Sequence, residues 1–324
     1  MNAEPTFAER IRARYPEGLT GLFAIGGTRT TYILEHNRQK AQPGVIEDFQ
    51  HYSDYLLDRY FDMCRMFLGL GGHNMVITAL GYQSFYERGE QYAEFVAKST
   101  LALIGEQAVR YYQQLHADPY FLGIDTLLLL PERHPGHQLA SALQDFQNSW
   151  DYAPEQPKII WEIASIPLFT FWNTARKSST ENEHLRTQLD AAGSLQSVFN
   201  LVYEHFSQDA YGGKVPLPHF YLGTNRNGDL KLRSVIPNSF IGGSECRLYY
   251  TPYPTLFMTQ DAMQTMLEDL AFGEQRFRSK TMDHRDAYTP EIAEAEYRHF
   301  RALSADPTSI LGLSRKGSTS NDDN

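Results

Sequence analysis

A chain of 324 residues, 42% hydrophobic and 21% charged, is long enough for one large domain or two modest ones. A formal net charge of −10, with a pI near 5.6, excludes a nucleic-acid-binding surface as its main business, so any anion site has to be a local concentration of arginine. Cys64 and Cys246 lack metal-ligand spacing and suit a reducing, cytoplasmic setting; the polar start of the chain carries no signal-peptide pattern, and no apolar run approaches the ~20 residues of a membrane span.

In chain order, residues 1–20 read as a short helix and loop, and 22–25 as a strand that stops at Gly26-Gly27. The glycines allow a left-handed turn and close approach to a ligand, and Thr28 and Arg29 then offer a hydroxyl donor and a permanent cation, which suits phosphate oxygens. The plain alternative is a hairpin turn into a second extended run at 31–36. From Asp48, apolar residues at spacings of three and four (Tyr52, Leu56, Tyr60, Met63, Phe67, Leu70) predict a long helix ended by Gly69, Gly71 and Gly72. A strand at 75–80 leads through a polar and aromatic loop, 82–89, to helices at 90–103 and 106–116. Further strands are expected at 119–123, 158–164, 219–223 and 247–251. Further helices are expected at 138–150, 183–206 (with Gly193 as a divider), 259–277 and 290–303. An apolar aromatic segment follows at 167–172, then a polar connection at 176–183.

Strand and helix alternate, which predicts an α/β domain over residues 1–313: a mostly parallel central sheet with helices on both faces, and a disordered polar tail at 314–324. In such sheets ligands bind beyond the carboxyl ends of the strands, which selects the loops that begin at Gly26, Gly81, Ala164 and Gly223. Aromatics reach 13% of the chain. Tyr82, Phe85 and Tyr86 in the second of these loops, and Phe169, Phe171 and Trp172 in the third, are candidate walls for a large apolar, transiently cationic substrate, or else core filler. Phosphate-binding, dinucleotide and nucleophile-elbow motifs are absent, and so is an aspartate-rich box for a magnesium-held diphosphate. The His134-Pro135-Gly136-His137 run reads as a loop, and no metal ligands are assigned.

Several segments taken together resemble the cis-prenyltransferase fold (the undecaprenyl diphosphate synthase-like fold), and especially its diterpene synthases. Gly26-Gly27-Thr28-Arg29-Thr30 is similar to the first diphosphate motif of that fold. Tyr86-Glu87-Arg88-Gly89-Glu90-Gln91-Tyr92 resembles the second segment, Phe220-Tyr221-Leu222-Gly223-Thr224-Asn225-Arg226 the third, and Arg247-Leu248-Tyr249-Tyr250-Thr251 the fourth. The resemblance spans roughly residues 20–313. It implies an enzyme that ionises a bicyclic C20 allylic diphosphate, kolavenyl diphosphate in preference to tuberculosinyl diphosphate, and quenches the cation with water to give a tertiary, kolavelool-type alcohol and diphosphate. It also implies a diphosphate cradle of Gly27, Thr28, Arg29, Arg88, Arg226, Arg233 and Arg247, with Arg29, Arg88 and Tyr52 as the catalytic groups and Tyr55 as the fallback for Tyr52. A homodimer is the habit of the fold.

Two positions depart from the pattern. The first-motif aspartate is Gly26 here, and a metal-binding glutamate ahead of the last strand is Arg247. Both changes remove negative charge, so any magnesium requirement is expected to be weak. Transfer of the prenyl group to a nucleophile such as adenosine, and a non-catalytic prenyltransferase subunit, are the alternatives.

Overall fold

The computed structural model describes residues 4–40, 42, 44, 46–86, 89–176, 179–224, 232, 246–273 and 289–305. Arg88, Arg226, Arg233 and the expected tail at 314–324 lie outside them.

Six strands, β1 (Thr20–Phe23), β2 (Asn74–Leu80), β3 (Asp118–Leu122), β4 (Lys158–Ile163), β5 (Phe220–Thr224) and β6 (Arg247–Thr251), form a sheet in the order β3-β4-β2-β1-β5-β6. Every neighbouring pair is parallel. Side chains alternate between its faces. Phe23, Ile77, Ile159 and Trp161 point into one core layer, whereas Leu22, Val76, Ile160 and Tyr221 point into the other. The first layer is covered by α1 (Phe7–Arg14), α3 (Phe49–Gly69), α4 (Glu90–Leu101), α5 (Glu106–Leu115), α7 (Pro135–Ser149) and α11 (Gln260–Phe272). The second is covered by α8 (Pro167–Arg176) and α10 (Leu195–Ala210), which is joined by α9 (Ser179–Asp190).

Helix α3 shows why these residues take this form. Asp48 caps it by accepting from the His51 amide at 2.9 Å, and Gly71 leaves it with φ +98°, where a Cβ would meet the Ala8 carbonyl oxygen at 2.6 Å. Between these ends Leu57, Phe61, Cys64 and Phe67 are buried against the sheet. Each large apolar side chain contributes about 1.5–3 kcal/mol of transfer free energy.

Three expectations from the sequence need correction. The run at 31–36 is helical: α2 (Thr28–Tyr32) passes directly into a wider, π-type turn at Ile33–Asn37. The left-handed Gly27 redirects the chain, the Thr31 amide and hydroxyl both bond the Gly27 carbonyl (2.9 and 3.1 Å), and Thr31 and Tyr32 are buried. That burial outweighs the β-propensity of the run. The aromatic segment at 167–172 is the first part of α8, with Pro167 at the helix start where a missing N–H costs nothing. Helix α9 already begins inside the expected polar connection, and Gly193 does separate it from α10.

Two half-buried histidines give the fold a pH dependence. His219 accepts a hydrogen bond from the Thr20 amide through Nδ1 (3.1 Å), and burial lowers its pKa; burial lowers that of half-buried His73 as well. The unfolded chain takes up protons near pH 6.5 that the folded chain resists. Stability is therefore fully present above about pH 6.5 and is lost as pH falls through the depressed values. Urea midpoints measured from pH 8 to pH 5 should begin to fall near pH 6.5, and His219→Asn, which keeps an acceptor for Thr20, should flatten the slope. A midpoint that stays level to pH 5 in the parent protein would refute this.

Candidate functional site

Strand β1 ends at Phe23, and the chain runs on through Ala24, Ile25 and Gly26 into the Gly27 turn. The turn is pinned from the far side of the sheet: the Gly26 amide donates to Thr255 Oγ1 at 3.3 Å, and the Thr255 amide donates to the Gly26 carbonyl at 3.2 Å. Gly27 has φ +77° and ψ 19° and offers no side chain to cap the amides that open α2. Thr28 and Arg29 follow. Arg29 is exposed; its Nη2 donates to the Gly44 carbonyl at 2.6 Å, which leaves most of its five donors for another acceptor.

Thr28 also lines a cavity of about 160 Å³ between α3 and α4, beyond the carboxyl end of β2. Helix α3 contributes Tyr52, Ser53, Leu56, Leu57 and Tyr60, spanning about 12 Å of helix axis at 1.5 Å per residue. Helix α4 contributes Tyr92, Phe95, Val96, Ser99 and Thr100, and Ala79 and Leu80 close the sheet side. The rings of Tyr52 and Phe95 stack at 6.3 Å, and Tyr32 meets Tyr52 edge-on at 5.1 Å.

Thr28 and Tyr52 meet at the mouth, with 3.5 Å between their hydroxyl oxygens. Burial raises the Tyr52 pKa, against the opposing influence of the Thr28 contact and the Arg29 charge. Burial also raises that of Tyr60 at the inner end. Both phenols are therefore neutral near pH 7: they supply hydrogen bonds and π faces, and neither serves as a base. Tyr55 shares a buried cluster with Tyr32 and Tyr52 and packs on His36, its pKa pushed up to about 12 by burial, but it does not line the cavity, so Tyr52 is the one of the two that faces it.

The structure brings Gly27, Thr28, Arg29 and Tyr52 together and separates other expected members. Arg247 opens β6, in register with Phe220 and thus level with Gly21 rather than with the turn. The carboxyl end of β6 is Thr251, about 13 Å further along at ~3.3 Å per residue. Arg247 Nη1 instead meets Asp269, at 3.0 Å from both its carbonyl and its Oδ2, and the guanidinium lies over Tyr249. It is a structural cation at the wrong end of the sheet.

The expected aromatic walls also fall elsewhere. Residues Tyr82–Phe85 form a 3-10 turn that buries Phe85 near His134, sets Tyr82 on the core edge and leaves Tyr86 61% exposed. Phe171 packs on Phe206 on the opposite face of the sheet, and Phe169 and exposed Trp172 pair on the same helix, Trp172 carrying Arg176 over its ring. None of these six lines the cavity. The walls that sequence reasoning missed are Tyr92, Phe95, Val96 and Ser99, whose spacing of three and four marks one face of a helix.

A magnesium ion is a poor match for this donor set. Gly26 has no carboxylate to offer a hard cation, and among the described residues no group of three or more His, Cys, Asp or Glu is arranged to hold a metal. His134 caps α7 by accepting from the Gly136 amide, and His137 Nδ1 bonds the Leu130 carbonyl oxygen, so both imidazoles have structural partners. None of the described helices is long and apolar enough to cross a membrane.

No protein-family profile matches the chain, and no curated protein sequence does. Among solved structures it is similar to lavandulyl diphosphate synthase from Lavandula x intermedia in complex with dimethylallyl diphosphate, at 15% identity over 81% of this chain and 97% of that chain, with a TM-score of 0.52. It is also similar, at 9% identity over 81% of this chain and 97% of that chain and a TM-score of 0.46, to a probable undecaprenyl diphosphate synthase from Campylobacter jejuni. The likeness establishes the cis-prenyltransferase-like fold.

Proposed function

We propose that this protein ionises an allylic prenyl diphosphate and captures the resulting cation with water, releasing an alcohol and diphosphate. The observation that carries the reading is the meeting of Thr28 and Tyr52: an anion-receptive turn opens directly onto an aromatic cavity. On this reading the leaving diphosphate lies on the Gly27–Thr28 backbone, the Thr28 hydroxyl and Arg29. Such preorganised donors stabilise charge as it develops, each charge-assisted hydrogen bond contributing about 1.5–3 kcal/mol net. The prenyl end lies among Tyr52, Tyr92 and Phe95, whose π faces stabilise a cation while the apolar walls limit access of bulk water.

The substrate favoured by the sequence motifs is a bicyclic C20 diphosphate, kolavenyl diphosphate, giving a kolavelool-type tertiary alcohol. The cavity favours a second reading. At about 160 Å³ it approximates the ~150 Å³ cavity that accepts benzene, enough for one or two isoprene units. A decalin requires α3 and α4 to part, whereas a short acyclic prenyl chain does not. The similar Lavandula synthase was solved with the C5 compound dimethylallyl diphosphate, which agrees with the second reading.

The test is diphosphate release and product identification with dimethylallyl, geranyl, geranylgeranyl, kolavenyl and tuberculosinyl diphosphates, each with and without adenosine. Release of a tertiary alcohol from kolavenyl diphosphate supports the first reading, and turnover confined to C5 and C10 substrates supports the second. A prenylated nucleoside, or no release from any substrate, removes the proposal. Because the described donors are amides, hydroxyls and arginine, a chelator should reduce the rate no more than about ten-fold, the effect of losing roughly one hydrogen bond. Abolition of turnover by chelator, restored by magnesium, would show a metal to be part of the machinery.

A further inference from the structure

Next to Tyr52 on α3, with Leu56, Val96 and Leu80 also on the lining, two hydroxyls meet: Ser53 Oγ and Ser99 Oγ lie 2.8 Å apart. One arrangement satisfies both contacts. Ser53 Oγ is placed to donate to the Phe49 carbonyl one turn back at 3.0 Å, and when it does, the proton shared with Ser99 comes from Ser99. In that arrangement the donors run from Ser99 to Ser53 to the backbone, and the Ser99 oxygen presents its lone pairs to the cavity. Ser53 is 8% exposed, whereas Ser99 is half-buried and lines the open space. Thr100 returns its proton to the Val96 carbonyl at 2.8 Å, Thr28 and Tyr52 face each other, and the phenols of Tyr60 and Tyr92 complete the hydroxyl-bearing lining.

We propose that the Ser53–Ser99 pair holds and aims the water that captures the cation, an inference that rests on the reading of the site given above. A water that donates one O–H to Ser99 turns its own lone pairs away from that serine and into the cavity. Beside the aliphatic Leu56, Leu80 and Val96 of this otherwise aromatic lining, such an acceptor is a specific place for a water. The balance is simple. The carbon–oxygen bond to diphosphate breaks, with its electron pair leaving on diphosphate; the water oxygen then gives a pair to the cationic carbon. The resulting oxonium loses its proton to the released diphosphate, the base that the reaction itself supplies. Without a held water, the same diphosphate removes a proton from a carbon next to the cation and the product is an olefin. Ser99 is accordingly a positioning residue for the nucleophile and has no part in ionisation.

The experiment measures product partition, run in ¹⁸O-labelled water with whichever prenyl diphosphate the parent protein turns over. Ser99→Ala should lower the ratio of labelled alcohol to olefin about ten-fold, the effect of one net hydrogen bond, while total diphosphate release stays within about three-fold. Ser53→Ala frees the Ser99 proton to point elsewhere and should shift the ratio in the same direction, and Ser99→Thr, which keeps the hydroxyl, should restore it. A role confined to helix packing would change stability and leave the ratio alone. Diphosphate release with an unchanged ratio in both alanine variants overturns this inference only; absence of release by the parent protein overturns the site reading and this inference with it.

Discussion

Arg29→Ala lowers kcat for diphosphate release roughly 10²-fold, the usual effect of deleting one preorganised donor to a developing anion. The same change moves the melting temperature by no more than about 2 °C, because Arg29 is exposed and contributes little packing. Its placement explains the asymmetry. Arg29 follows Thr28 in the first turn of α2, and its charge already reaches Tyr52, where it opposes the effect of burial on the phenol. Its one described bond, to the neutral Gly44 carbonyl, neither cancels the charge nor uses the whole guanidinium. Arg29→Lys separates two contributions: it keeps the charge and loses the planar fork, so a rate between those of the parent and the alanine variant is expected. Diphosphate-release kinetics and thermal melts on the three proteins decide the matter. An alanine variant with parental kcat would make Arg29 a tether for the loop through Gly44 and nothing more. Arg88, expected beside it from the sequence, lies outside the described residues, and Arg88→Ala in the same assay tests that expectation.

The contrast between Arg29 and Arg247 shows what the sequence makes legible and what it hides. Most strands were readable as short, near-continuous apolar runs, the pattern of a sheet covered on both faces, and parallel pairing follows from the helices between them. Strand direction then determines which residues share an edge. Arg247 is the first residue of its strand and so belongs to the amino edge; Thr28 follows its strand and belongs to the carboxyl edge, where ligands bind. Counting arginines near strand ends ignores this distinction. The cavity was hidden for a different reason. Its walls belong to the faces of two helices, where a ring facing a cavity and a ring facing the core have the same spacing. Tyr92, Phe95, Val96 and Ser99 form an ordinary amphipathic face; only the packing of α4 over α3 leaves space in front of them. Phe171 has the reverse history. Its aromatic neighbours suggest a pocket, but its helix packs on the opposite face of the sheet, against α10.

Three glycines with positive φ lie on loops around this edge of the sheet, and alanine at each should cost a very different amount. Gly89 has φ +81° and ψ 171°, a region that essentially only glycine adopts, with nothing within 4 Å of an added Cβ, so Gly89→Ala meets only the backbone penalty of about 1–3 kcal/mol. Gly27 has φ +77°, and its Cβ would touch the Pro254 side chain at 3.0 Å, a contact that a small shift of the ring relieves; Gly27→Ala folds but tilts the anion turn. Gly123 is the severe case. It ends β3 with φ +94°, and a Cβ there would sit 1.7 Å from the Ile163 carbonyl oxygen and 2.9 Å from the Ser165 amide nitrogen. Both are backbone atoms at the end of β4, next to Ala164, which itself has φ +53°. The two turns interlock main chain to main chain, and neither can yield without unpairing β3 from β4. Gly123→Ala should therefore destabilise by more than about 4 kcal/mol, a large part of the 5–15 kcal/mol that holds a typical domain. Urea unfolding followed by tryptophan fluorescence reads this directly, since Trp161 is fully buried on β4 beside that turn. The expected order of midpoints is parent, then Gly89→Ala and Gly27→Ala close together, then Gly123→Ala far below or without a native baseline. A Gly123→Ala protein that unfolds at the parental urea concentration would mean that the β3 and β4 turns do not meet in this way.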